Sequence, residues 1–141
     1  MTELLWKNGG KANSPVLLDK IEEEYGVKLP SLYRDIVLKY NEGRPSHKLI
    51  KTITGREVVF QELLSINLED KNNLLQCSSV LKSEYGLHGV IPFASDPFGN
   101  LFCFEISEYM ELKVVFWDHE EIDNSVIPIT NSFEDLLCAL Y

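Results

Sequence analysis

The sequence predicts an α+β domain in which helices pack on one mainly antiparallel sheet. Three observations carry this. Amphipathic helical segments stand near the start, in the middle and at the end of the chain. Between the last two runs Val90 to Ile106, VIPFASDPFGNLFCFEI, in which strand-forming apolar residues flank a polar turn. Val114 to Glu121, VVFWDHEE, repeats the apolar run. Strands joined by turns this short run antiparallel, and helices between them must cover the sheet. With 141 residues, 45% of them hydrophobic, one domain spanning 1–141 is expected, its core running from 14 to 140.

Ser14-Pro15 opens the first helix, because Ser caps and Pro fits the first turn. Val16, Leu17, Ile21 and Tyr25 share one face, Glu22 to Glu24 lie mostly on the other, and Gly26 ends the helix. Lys28-Leu29-Pro30 links to a second helix, Ser31 to Tyr40. There Leu32, Tyr33, Ile36, Val37 and Tyr40 have helical spacing, and Asn41-Glu42-Gly43 closes it. Lys48–Ile53 and Glu57–Leu63 read as a hairpin about Thr54-Gly55-Arg56. Asp70–Tyr85 reads as a third helix, with Leu74, Leu75, Ser78, Leu81 and Tyr85 on one side and Gly86 after it. The central hairpin follows, reversing at Asp96-Pro97 and Gly99-Asn100. Ser107–Lys113 reads as a loop, Val114–Asp118 as the third core strand and Ile127–Thr130 as an edge. Asn131 or Ser132 then caps a last helix, Phe133–Leu140.

Composition excludes several classes. No segment approaches a membrane span, and the opening MTELLWKNGGK is too short of apolar residues for a signal peptide, so a cytoplasmic protein is expected. Cys77, Cys103 and Cys138 are odd in number and unclustered, which suits buried, reduced thiols rather than disulfides or a metal site. The charge is segregated. Residues 1–95 hold 12 basic and 12 acidic side chains, whereas residues 96–141 hold 10 acidic ones and only Lys113 against them. Such a field repels nucleic acid and anionic membranes and attracts basic partners.

No constellation for catalysis emerges, and no cofactor or metal is expected. Asp118, His119, Glu120 and Glu121 could form an acid-base or metal site only if strand neighbours converged, but they alternate faces. Ser95 and Ser132 lack a G-x-S-x-G context, and Gly9-Gly10-Lys11 lacks the phosphate-loop spacing. Cys103, between Phe102 and Phe104, reads as core. Trp6, Trp117 and the phenylalanines also read as core before they read as a pocket lining.

The chain resembles the SUKH superfamily. The resemblance rests on Gly26-x-x-Leu29-Pro30 with Tyr33 and Asn41-Glu42-Gly43, then Ile91-Pro92-Phe93 with Asp96 and Gly99-Asn100, then Phe116-Trp117-Asp118, then Ser132 to Leu137. Pro97-Phe98 stands where many relatives carry small or polar residues. The resemblance implies an immunity protein that binds and neutralises a cognate toxin, a nuclease or deaminase, without catalysis of its own. The alternative it leaves is a regulatory module binding an endogenous partner. The charge map suits a basic, nuclease-like toxin. On that reading the partner meets Asp96, Glu105, Glu108, Glu111, Asp118, Glu120, Glu121 and Asp123, with Phe98 and Tyr109 as apolar anchors.

Overall fold

A computed structural model describes residues 4–141; Met1 to Glu3, the start of the segment weighed as a signal peptide, lie outside it. The first helix, α1 (Val16–Tyr25), begins where the Ser14 hydroxyl accepts the Val16 N–H at 3.0 Å. It ends at Gly26, whose φ of 67° lets its N–H return to the Glu22 carbonyl. Glu22 does not simply face solvent as its spacing suggests. Its carboxylate accepts from the Leu29 N–H at 2.7 Å and from Arg34 at 3.0 Å, so it binds α1 to α2 (Ser31–Lys39). That lock fixes Tyr33, which presents its ring edge to Phe93, Phe104 and Phe133 at 5.3–5.8 Å between centroids.

Two short ladders escaped the sequence reading. Strand β1 (Trp6–Lys7) pairs with β2 (Arg44–Pro45), directly after Gly43. A side chain at Gly43 would meet the Tyr40 carbonyl at 2.7 Å, so the tight exit from α2 requires glycine. The expected hairpin forms as β3 (Leu49–Lys51) and β4 (Glu57–Val59), but the second strand does not run on to Leu63. After a break at Phe60-Gln61, β5 (Glu62–Leu63) joins the main sheet instead.

That sheet has five strands in the order β5-β6-β7-β8-β9, all antiparallel. Its centre is the expected hairpin, β6 (Val90–Ser95) and β7 (Leu101–Ile106), followed by β8 (Leu112–Trp117) and β9 (Val126–Thr130). The loop expected over Ser107–Lys113 is shorter, because Leu112 and Lys113 already pair with Ile106 and Glu105. Residue alternation gives the sheet two apolar faces. Phe102, Phe104, Val114 and Phe116 join the large core with residues of α1, α2 and the last helix, α4 (Phe133–Ala139). Phe93 stacks on Phe104 there at 4.1 Å, beside a break in the β6–β7 register. Each such phenylalanine is fully buried, worth about 2–3 kcal/mol.

Cys103, Val115 and Trp117 face the other way and pack with Val90 and with Leu81 of α3 (Leu74–Tyr85). Helix α3 starts at the first residue of its apolar face and four residues after the expected Asp70, because the Asn73 side chain caps it by accepting the Gln76 N–H. Helices thus lie on both faces. Cys103 is buried, and that burial pushes its thiol well above the ordinary range. All three cysteines are free, but only Cys103 fits the expected burial: Cys77 is half-buried and Cys138 exposed. No described helix is long and apolar enough to cross a membrane.

Candidate functional site

The turn between β6 and β7 is built around Asp96. Its Oδ1 accepts the N–H groups of Phe98 at 2.9 Å and Asn100 at 2.7 Å, and Oδ2 accepts the Asn100 amide at 3.0 Å. Asn100 then passes the constraint to the loop after β8. Its Oδ1 accepts the His119 N–H at 3.0 Å and the ring Nδ1–H at 2.6 Å. The ring lies over Gly99, whose φ is 90° and where a Cβ would approach His119 Cε1 to 3.2 Å. A second clamp holds the same loop. Asp118 accepts Arg56 at 2.7 Å and the Glu120 N–H at 3.0 Å, while its own N–H donates to Ser125. The hydrogen bond from Arg56 holds its carboxyl below the usual aspartate range.

These two clamps correct part of the expected acidic surface. Asp96 and Asp118 are only 5% and 6% exposed, and their carboxylates are used inside the turn. They position the surface and do not form it. What they hold outward are Phe98, 71% exposed, and the loop carrying Glu120, Glu121 and Asp123, all exposed, with Ile122 at 96%. Ile122 was missed, although a lone isoleucine among Glu121, Asp123 and Asn124 is itself a signal.

The remaining expected residues lie elsewhere. Glu108, Tyr109 and Glu111 occupy the β7–β8 turn, and Glu105 sits across from Lys113 at that end of the ladder. Leu101 pairs with Trp117 at one end and Ile106 with Leu112 at the other. At ~3.3 Å per residue the two ends are roughly 17 Å apart. The expected contact residues therefore fall at two separate places.

An apolar groove of about 690 Å³ opens beside the Phe98 end. Leu75, Val80 and Tyr85 line it from α3, and Leu101 and Trp117 from the sheet, with Gly99 and His119 at the clamp. Trp117 is 5% exposed and packs edge-to-face with Tyr85 at 4.7 Å between ring centroids. It is thus both core and groove lining. Among the described residues no cluster of three or more His, Cys, Asp or Glu is placed to hold a metal.

This architecture agrees with the comparisons to known proteins. The pattern of the SUKH_6 family, described as SMI1-KNR4 cell-wall, matches residues 16–137. The chain belongs to this family. It is also 27% identical, over 91% of its length and 74% of the relative's, to the SPbeta prophage-derived uncharacterized protein YokK of Bacillus subtilis strain 168. The residues that carry the sequence resemblance serve structure: Gly26 and Gly43 at helix exits, Tyr33 in the aromatic core, and Asp96, Asn100 and Asp118 in the clamps.

Proposed function

We propose that this SUKH protein is an immunity protein, which binds a basic, nuclease-type toxin and neutralises it by covering its active surface. The observation that carries the reading is the loop 118–125, held at its start by Asn100 and Arg56. It exposes Glu120, Glu121 and Asp123 beside the apolar Phe98 and Ile122, and its sequence contains no Lys or Arg. Such a surface opposes the cationic groups a nuclease needs for phosphate binding, and raises the encounter rate. The β7–β8 turn, with Glu108, Tyr109 and Glu111, is a secondary contact, since Lys113 lies opposite Glu105 at that end. The protein acts by occlusion and not by catalysis, inside the cell that makes the toxin.

The test is co-expression with the product of the neighbouring gene. Rescue of growth supports the reading. Absence of a toxic neighbour, with no neutralisation of any toxin tried, removes it. The family's cell-wall description favours a second reading, a regulatory module for an endogenous protein. Purification of a stable complex with a non-toxin partner, encoded away from this gene, would select it.

A further inference from the structure

Helix α3 buries Leu74, Ser78 and Leu81, yet it leaves Val80 at 42% and Tyr85 at 47% exposure along the groove. Opposite them stands Trp117, whose indole is covered from the side by Tyr85. The groove is therefore walled by apolar side chains from α3 and the sheet, with Asn72, Gln76 and Ser79 also in its lining, and the Asp96–Asn100–His119 chain of hydrogen bonds fixes its Gly99–His119 edge. No Lys or Arg lines it. Lys82, the basic residue of α3, is turned away to α1, where it pairs with Glu24 at 2.6 Å and lies over the Tyr25 ring. At the His119 side the adjacent charge is negative: Glu120 Oε1 is 3.8 Å from His119 Nε2, and Glu121 and Asp123 follow on the same loop.

We infer that this groove receives an aromatic side chain of the partner, presented by a segment that carries Lys or Arg on either side of it. The inference rests on the toxin-binding reading and names the chemistry of its anchor. An apolar slot with acidic side chains along its His119 side selects for that combination, because the ring fills the slot while the flanking cations meet Glu120 and its neighbours. A neutral apolar segment would leave the rim uncompensated, and an acidic one would be repelled.

Cys77 reports on occupancy, since it is half-buried in the groove lining, Cys103 is fully buried, and Cys138 can be removed as Cys138→Ser. The probes are three capped pentapeptides: Trp flanked by two Lys on each side, Ala in the same frame, and Trp flanked by Glu. The Lys-Trp peptide is expected to slow alkylation of Cys77 at least five-fold at saturation, and to bind at least ten-fold tighter than either control. Val80→Lys, at an exposed helix position, should abolish that protection with no change in melting temperature.

Equal protection by the Lys and Glu peptides, or none by any, overturns the inference. Protection that grows with the protein's own concentration also overturns it, in favour of a second copy in the groove. In co-expression, Val80→Lys should lose at least ten-fold in cell survival. Full rescue by Val80→Lys removes the groove inference and leaves the immunity reading standing. Failure of the unaltered protein to rescue removes the immunity reading, and the peptide result then decides the groove alone.

Discussion

Asp96 and Asp118 show how a carboxylate in an acidic run can be structural. Asp96 accepts the Phe98 and Asn100 N–H groups, and Asp118 accepts the Glu120 N–H. Asp96→Ala leaves the Phe98 and Asn100 N–H groups without that partner, so it should cost about 2–3 kcal/mol in urea unfolding. Asp96→Asn, which keeps one acceptor oxygen, should cost less. Asp118 adds a pH dependence. Its folded carboxyl lies below its unfolded value, chiefly through Arg56, so it favours the folded state above the unfolded pKa of about 3.9. That contribution is lost as pH falls through the lower, folded value. Asp118→Asn should therefore destabilise by about 1–2 kcal/mol at neutral pH, a range discounted because Arg56 is partly exposed. The difference from the unaltered protein should shrink below about pH 4. Unfolding curves at pH 7 and pH 3 compare the two directly; a constant difference would show that the ion pair does not set the dependence.

At the scale of elements, α3 and β8 share one task. Leu81 and Trp117 pack together, and the same pairing shapes the groove. Trp117→Ala should cost roughly 3–5 kcal/mol, because it removes the largest member of the smaller core and leaves a cavity under α3. Thermal unfolding measures this; a shift too small to detect would mean that α3 is held by its N-terminal contacts alone. The element boundaries follow local chemistry closely. Asn73 and Ser132 start helices by accepting from the third residue onward, and Gly26 and Gly86 end them at φ of 67° and 65°.

Over the whole molecule, most of the acidic residues of 96–141 lie at the two ends of the sheet, with Glu134 and Asp135 on α4. The Phe98 end combines the two aspartate clamps and exposed apolar side chains with the 690 Å³ groove, and the Glu105–Lys113 end borders a smaller pocket of about 200 Å³. Glu120→Lys with Glu121→Lys should therefore lower the association rate with a basic toxin by about ten-fold or more at low salt, and the deficit should narrow as salt is added. Stopped-flow association at two ionic strengths checks this. An unchanged rate would move the docking surface to the Glu108–Glu111 turn.

Much of the fold could be read without coordinates. Helical spacing around Tyr33, the polar turn at Asp96–Asn100 and the capping residues depend on neighbours a few positions apart, and local sequence encodes such contacts directly. The departures share a cause. The split of Glu57–Leu63 between two sheets, the β1–β2 ladder and the pairing of Lys113 depend on partners far along the chain. The candidate surface followed the same division. Charge segregation pointed to the acidic third of the chain, and Phe98 stood out as an aromatic in a turn. Whether a given carboxylate faces solvent depends on which donors approach it, and Arg56 reaches Asp118 from 62 positions away. Sequence thus determined the four helices, the antiparallel core strands and the sign of the surface, because these arise from short-range pattern and composition. Tertiary structure alone decided that Asp96 and Asp118 are clamps, that the expected contact residues lie at two separate places, and that α3 and Trp117 border a groove beside one of them. Those properties exist only where distant segments meet.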